Sequence, residues 1–173
     1  MKRAALPLAA LALLAGCEAE QEPVPTPTAS ETPAPAASEP LNVEDFPALA
    51  SRECVDVVQF YLEAIGGHEW AQAALVWNDP AVDAARLEAV FGGYLEPQVE
   101  WTDPFVEGAA GSLYCSVAGK LTDARDPAKP PAEGTLLLRR VNDVPGATPD
   151  QLRWTLQSST FVERLERGQG GEP

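Results

Sequence analysis

The chain has 173 residues, with 26 acidic and 12 basic side chains and a net charge of −14. An acidic surface repels phosphate backbones and anionic lipid headgroups, which excludes nucleic acid as a partner and membrane binding through a basic face. The length suffices for one folded domain once terminal segments are set aside.

The N-terminus has the pattern of an export signal. Lys2 and Arg3 precede an apolar run that is too short to span a bilayer, because a spanning helix needs about 20 apolar residues. The run ends in Leu14-Ala15-Gly16-Cys17, which resembles the lipobox of bacterial lipoproteins. That resemblance implies a signal peptide at 1–16 and acylation of Cys17, palmitate included. An ordinary secretory signal with an unrelated cysteine is the alternative.

Acylation at Cys17 predicts a protein of the bacterial cell envelope that is lipid-anchored and faces the periplasm. Each buried methylene contributes about 0.8 kcal/mol, so several acyl chains together anchor a protein firmly. In lipoproteins an aspartate after the cysteine often signals retention in the inner membrane. The residue here is Glu18, which favours the outer membrane.

A low-complexity segment follows the cysteine. Residues 17–46 are rich in Pro, Ala and Glu and contain few large apolar side chains, so they cannot bury enough surface to offset their ordering entropy. We therefore predict a disordered tether at 17–46, a folded domain at 47–166 and a flexible tail at 167–173.

Three helices are predicted in the first half of the domain, because apolar residues recur there at helical spacing between good capping residues. They cover 53–65 after an N-cap at Ser51, then 68–77, and then a segment that begins at Asp79-Pro80 and carries Leu87, Val90 and Phe91.

After Pro97 the apolar period changes to alternation, which predicts strands. The expected strands cover 98–107, 112–121, 134–141 and 152–162. Helices followed by an antiparallel meander predict an α+β domain, with three N-terminal helices packed on a curved antiparallel sheet of about four strands. Trp101, Trp154 and Leu156 are expected in its core.

Two cysteines remain after lipidation is assigned. Cys54 and Cys115 form an even pair in an oxidising compartment, which favours a disulfide bond over two separate buried thiols. Closing a loop of this length would stabilise the domain by about 4 kcal/mol.

The order of elements and the segment FYLEAIGGHEWAQAALVW, residues 60–77, resemble the nuclear transport factor 2-like group, a cone of helices against a curved sheet. The likeness covers about 51–164. Segments 107–112 and 138–146 are similar to small proteobacterial lipoproteins of no known activity. The group contains isomerases, dehydratases and polyketide cyclases together with non-catalytic members, and the resemblance implies an apolar pocket in the cone.

Asp103 is the main catalytic candidate. It interrupts the alternation next to Pro104, and an inward carboxylate near Trp101, Phe105 and Tyr114 could serve as a general base. A turn-forming Asp-Pro at a strand edge is the alternative. The only histidine, His68, lies between two predicted helices, where a solvated or capping role is the simpler interpretation.

Other side chains carry weaker signals. Trp101, Phe105, Tyr114 and Trp154 are candidate ligand-binding residues, with a core role as the alternative for the tryptophans. Arg139 and Arg140 alternate on a strand, so one arginine is expected on each face. A surface salt bridge is the simpler role, and pairing of one of them with a buried acid or an anionic ligand is the alternative. Glu100 and Glu107 define no paired-carboxylate site, and no pattern of metal ligands or cofactor motif is present in the sequence.

The sequence thus favours a tethered, non-catalytic domain that binds a small apolar molecule or an envelope protein, and a homodimer remains open. The alternative is an isomerase or dehydratase with Asp103 as base and Tyr114 as a donor. A structural assembly lipoprotein is a third hypothesis.

Overall fold

The structure is a computed structural model that describes residues 40–169. The predicted signal peptide, Cys17 and most of the predicted tether lie outside the described residues. The last residues of that tether are described, and they are structured. A 3₁₀ turn at Val43–Asp45 is followed by a second at Pro47–Ala50, and Val43 and Phe46 pack against the core.

The first helix, α1, is Cys54–Gly66, close to its predicted range. Its buried face follows the i, i+3, i+4 spacing of an amphipathic helix. Ser51 is not the N-cap residue as predicted; the helix begins after Glu53, while the Ser51 hydroxyl accepts from the Glu53 N–H and donates to Asp56. The residues of α1 that are buried are Cys54, Val57, Val58, Tyr61, Ala64 and Ile65.

The next two helices are shorter than predicted. Helix α2 is Trp70–Ala74 and helix α3 is Ala84–Phe91. The N-cap of α3 is Asp83, whose side chain accepts from the backbone N–H of Arg86. The prediction of a start at Asp79-Pro80 is wrong, because Asp79 instead holds a turn by accepting from the N–H of Ala81.

The sheet is antiparallel and has five strands, one more than expected. Strands β1 (Pro97–Trp101) and β2 (Phe105–Ala109) pair with successive parts of the same edge of β3 (Ser112–Asp123). The predicted single strand 98–107 is therefore two strands. Proline within a strand cannot donate to the ladder, which accounts for the break at Pro104.

Strand β4 (Ala132–Val141) pairs with the other edge of β3. The sheet order is β1 or β2, then β3, β4 and β5 (Thr155–Ser159). The α+β class with helices against a curved antiparallel sheet is confirmed.

The C-terminal region departs from the sequence prediction. In place of one strand over 152–162, the chain forms a short helix α4 (Pro149–Leu152), then β5, then helix α5 (Thr160–Gln169). Helix α5 therefore runs past residue 166 into the predicted tail. The remaining residues of that tail lie outside the described part.

Helix α5 is fixed by close packing on the sheet. A Cβ placed on Gly134 would lie 2.5 Å from the Phe161 ring, so only glycine admits the ring at this depth. Gly119 is the cross-strand partner of Gly134, and its Cβ would also reach the ring at 3.5 Å. The two glycines thus form the seat for Phe161.

The predicted disulfide is confirmed. Cys54 at the start of α1 is bonded to Cys115 in the middle of β3, with 6.5 Å between the Cα atoms. Both cysteines belong to a core that also contains Tyr61, Trp154 and Leu156. The core, the disulfide and the sheet all lie within residues 40–169, so this part of the chain has what it needs to fold on its own. No helix among the described residues has the length and apolar character to cross a membrane.

Candidate functional site

Asp103 lies in the three-residue break between β1 and β2, and its side chain is exposed. The inward orientation that a buried general base requires is therefore not observed. The position matches the alternative, in which Asp-Pro ends one strand and redirects the chain into the next.

His68 lies in the turn after α1, where it adopts a left-handed backbone conformation with φ of 59°. Its exposed ring stacks on Trp70, with 5.0 Å between the ring centroids. Left-handed backbone is costly for a residue with a Cβ, and the stacking contact helps to hold it. The geometry is that of a helix-terminating turn.

The four predicted ligand-binding residues do not converge on one pocket. Trp154 is 1 % exposed in the core, where its indole N–H donates to the Arg52 carbonyl at 2.9 Å. Phe105 and Tyr114 pair with Ser116 and Glu107, on the sheet face turned away from the helices. The predicted aromatic lining of one cavity is therefore distributed over both sides of the sheet.

Trp101 is half-buried at the end of β1, opposite Gly119. It lines an open groove of about 500 Å³ together with charged residues of both signs. The other residues lining that groove are Glu100, Thr102, Ala118, Gly119, Lys120, Glu133, Gly134, Thr135 and Arg164.

The interior of the domain contains an unusual polar pair. The Tyr61 ring meets the Trp77 ring edge-on at 6.4 Å, and neither the Tyr61 hydroxyl nor the Trp77 indole N–H has a well-formed hydrogen bond. Burial raises the pKa of Tyr61 well above its ordinary value, and the neighbouring Trp77 opposes this only in part. A phenol held neutral in the core packs as an aromatic side chain rather than serving as an acid or base.

Asp123, the most buried carboxylate of residues 40–169, has a structural role. Its side chain is 1 % exposed, and its two oxygens accept from the backbone N–H groups of Leu95 and Glu96 at 2.8 and 3.0 Å. The N–H of Arg125 adds a third bond at 3.1 Å. Burial acts to raise the pKa of Asp123, but these donors together with Lys129 outweigh it and hold the pKa below its usual value. The carboxylate thus fixes the chain before β1 to the end of β3.

Arg139 and Arg140 occupy opposite faces of β4, as predicted. Arg139 donates to the Ser112 hydroxyl at 2.7 Å. Arg140 turns toward the helices and is only 7 % exposed; it lies over the Trp154 ring and donates to Asp143 at 3.0 Å. Its Nε is buried without a hydrogen-bond partner. A buried guanidinium is therefore neutralised by an acid that is itself 62 % exposed.

Two arginines that sequence reasoning did not single out lie at the same end of the sheet. Arg52 approaches Asp143 at 3.8 Å, and the half-buried Arg153 donates to the Leu75 carbonyl at 3.1 Å. They line a groove of about 560 Å³ between the N-terminal 3₁₀ turns and α4. No local motif joins positions 52 and 153, so only the fold could reveal this cluster.

Strand β2 forms an exposed edge of the sheet. All five of its residues are exposed, and within the described residues β2 pairs with β3 alone. Phe105 is 65 % and Val106 is 48 % exposed. Alternation places these two side chains on opposite faces, so apolar surface flanks an unpaired row of backbone donors and acceptors.

The described part of the chain contains no candidate metal-binding site. Among residues 40–169, no three His, Cys, Asp or Glu side chains come together in a way that could hold an ion.

No protein-family model matches the chain. No curated protein is significantly similar to it.

Three solved structures resemble the fold at low sequence identity. One is assigned as a calcium/calmodulin-dependent protein kinase type II association domain from Thiobacillus denitrificans (TM-score 0.43, 13 % identity, 61 % of this chain and 90 % of that chain). Another is a candidate dehydratase of the NTF2-like family from Streptomyces avermitilis (TM-score 0.43, 13 % identity, 66 % and 95 %). The third is Aln2 from a Streptomyces species (TM-score 0.42, 20 % identity, 64 % and 93 %). Likenesses this distant assign no activity to this chain.

Proposed function

We propose that this chain is a lipid-anchored protein of the bacterial cell envelope, with acylated Cys17 as its anchor, 17–46 as its tether and the outer membrane as its favoured location. Its domain, of the nuclear transport factor 2-like type, acts by binding an envelope protein rather than by turning over a substrate. The lipobox resemblance supports the anchor, and the free edge of β2 supports the binding role.

The β2 edge carries the proposal because it has the features of a strand-addition surface. An extended segment laid beside β2 would satisfy the unpaired backbone groups and would cover Phe105 on one face and Val106 on the other. Edge strands of natural sheets are commonly protected against pairing with other chains by a lysine, a proline or a covering element. Strand β2 contains no lysine and no proline.

The charge at this edge indicates the kind of segment that fits. Glu107 is the only charged residue of β2, and the chain as a whole carries a net charge of −14. A partner strand with apolar residues on both faces and a basic residue opposite Glu107 would complement it. A second copy of this chain would instead bring two acidic surfaces together.

The enzymatic alternative has less support. Asp103 is exposed, and Trp154 and Tyr61 fill the interior in which a cone-shaped enzyme would hold its substrate. A general base works best where a substrate is enclosed and water is excluded. An Asp103→Asn variant that abolished turnover of some substrate by the purified domain would restore the enzymatic interpretation.

Site-specific photocrosslinking in intact cells tests the binding role. A photoreactive phenylalanine analogue at Phe105 should give one discrete adduct, while the same analogue at Leu95 should not. Leu95 is the matched control because it is equally exposed, at 65 %, and lies outside the sheet. A Val106→Lys change should remove the Phe105 adduct.

Equal adducts from both positions, or none from Phe105, would contradict the partner surface. An adduct with twice the mass of the chain would identify a second copy and overturn the choice of a basic partner. The anchor has a separate test: labelled palmitate should be incorporated into the parent chain and absent from a Cys17→Ser variant.

A further inference from the structure

The groove between the N-terminal turns and α4 combines an apolar floor with guanidinium groups. Val43 and Phe46 come from the first part of the described chain, and Leu152 comes from the end of α4. Arg52 and Arg153 contribute the cations. Because Phe46 also packs against the Phe60 ring at 5.2 Å between centroids, the floor is continuous with the core rather than a loose flap.

Arg153 has no acidic partner within ion-pair distance among residues 40–169. Its Nη1 donates to a backbone carbonyl, and its Nε is buried without a partner. Burial lowers the pKa of Arg153, and Asp150 opposes the shift only in part. A half-buried guanidinium of this kind is stabilised by any anion that approaches it.

The neighbouring arginines share a single acid. Arg140 lies 3.0 Å and Arg52 lies 3.8 Å from Asp143, so one carboxylate serves two guanidinium groups. With Arg153, three cations at this end of the sheet have one paired anion.

Two acidic residues also line the groove, so its formal charge is balanced, but they form no ion pair with its two arginines. Glu44 and Asp150 are both exposed, and neither lies within ion-pair distance of an arginine. The deeper charge in the groove is therefore the half-buried Arg153. Exposed carboxylates interact weakly with groups beyond direct contact, since water and salt screen them.

We propose that this groove binds a small amphipathic anion, with a carboxylate or phosphate head paired to Arg52 and Arg153 and an apolar body lying on Val43, Phe46 and Leu152. The groove volume of about 560 Å³ is sufficient for a medium-length acyl chain or a ligand of similar size. The site is separate from the β2 edge, so failure of the protein-partner proposal would not affect this one, and the reverse is also true.

Calorimetric titration with decanoate, kept below its micelle concentration, tests the proposal. The chain beginning at Glu18 retains every described residue and avoids the detergent that a lipidated chain requires. Decanol supplies the same body without charge, and acetate supplies the head without a body. Decanoate should bind at least about tenfold more tightly than either, because a charge-assisted hydrogen bond and a buried acyl chain each contribute that much or more.

Arginine variants locate the site. Arg153→Met keeps the apolar stem and should weaken decanoate binding about tenfold while leaving the affinity for decanol unchanged. Arg52→Met, at a more exposed position, should act in the same direction and guards against a folding defect in the first variant. Arg125→Met is the matched control, since Arg125 is 70 % exposed and pairs with Glu96.

Equal affinities for decanoate and decanol would overturn the anion site, and equal affinities for decanoate and acetate would overturn the apolar floor. The absence of decanoate binding, or equal losses in the Arg153 and Arg125 variants, would overturn the proposal as a whole. Binding to phosphatidylglycerol vesicles without binding to free decanoate would assign the arginines to a membrane surface and would also overturn it.

Discussion

The Cys54–Cys115 bond offers the most direct test of how the domain is stabilised. It joins residues 61 positions apart, and both sulfur atoms are buried between α1 and β3. Replacing both cysteines with alanine removes the cross-link without introducing buried hydroxyl groups. In the chain-entropy model, a loop of this length restricts the unfolded chain enough to contribute about 4 kcal/mol to the free energy of unfolding.

A loss of that size is a large fraction of the roughly 5–15 kcal/mol that typical domains possess. Urea titration of the chain beginning at Glu18, followed by tryptophan fluorescence, should show a lower unfolding midpoint for the Cys54→Ala, Cys115→Ala variant. The parent unfolded in a strong reductant should shift by a similar amount. A difference of less than about 1 kcal/mol between parent and variant would refute the reasoning, because the bond would then not restrict the unfolded chain by the amount that the model requires.

Two further predictions concern single side chains. Gly134→Ala should lower the free energy of unfolding by about 1–3 kcal/mol, because its new methyl group meets the Phe161 ring. Gly168→Ala is the control: nothing lies within 4 Å of its new methyl group, so the free energy of unfolding should stay unchanged or rise slightly. Thermal melts of the two variants and the parent measure the difference. A drop in both or in neither would contradict the packing of α5. Asp123 has a lowered pKa in the folded state, so its contribution is complete above about pH 4 and is lost as the pH falls through the folded pKa. Asp123→Asn should therefore flatten the acid limb of a stability–pH curve, and an unaltered limb would show that other groups control it.

The three N-terminal helices and the disulfide could be predicted because their signals are local or compositional. The apolar period of α1 and the glycine pair at 66–67 indicate its extent. An even pair of cysteines in a chain predicted to be exported favours a bond between Cys54 and Cys115. The α+β class followed from the change in period after Pro97. Short capping contacts, such as that of Asp83 on α3, were misplaced by a few residues because several acids compete for the same role.

The C-terminal helix was missed because its sequence favours a strand. Thr160, Phe161 and Val162 are all strand-forming residues that follow an alternating run. Their helical state depends on Gly134, which provides the seat for Phe161 from a distant strand. Tertiary packing overrides local propensity there, and no sequence window contains both partners.

Only part of the candidate site could be predicted from the sequence, for a similar reason. Asp103 and the aromatic residues were selected for their chemistry, but burial decides which of them can act, and burial depends on the sheet register. Arg52 and Arg153 carry no distinctive local pattern. Only the fold brings them to one groove, next to the carboxylate of Asp143 that Arg52 shares with Arg140.

The late closure of the fold has a consequence for biosynthesis. Trp154 donates to the carbonyl of Arg52, 102 positions upstream, and Leu156 bridges to Trp77. The first half of the domain therefore has no complete core until Trp154 and Leu156 have been synthesised. A product truncated before Trp154 would lack both contacts, stay open and be exposed to proteases.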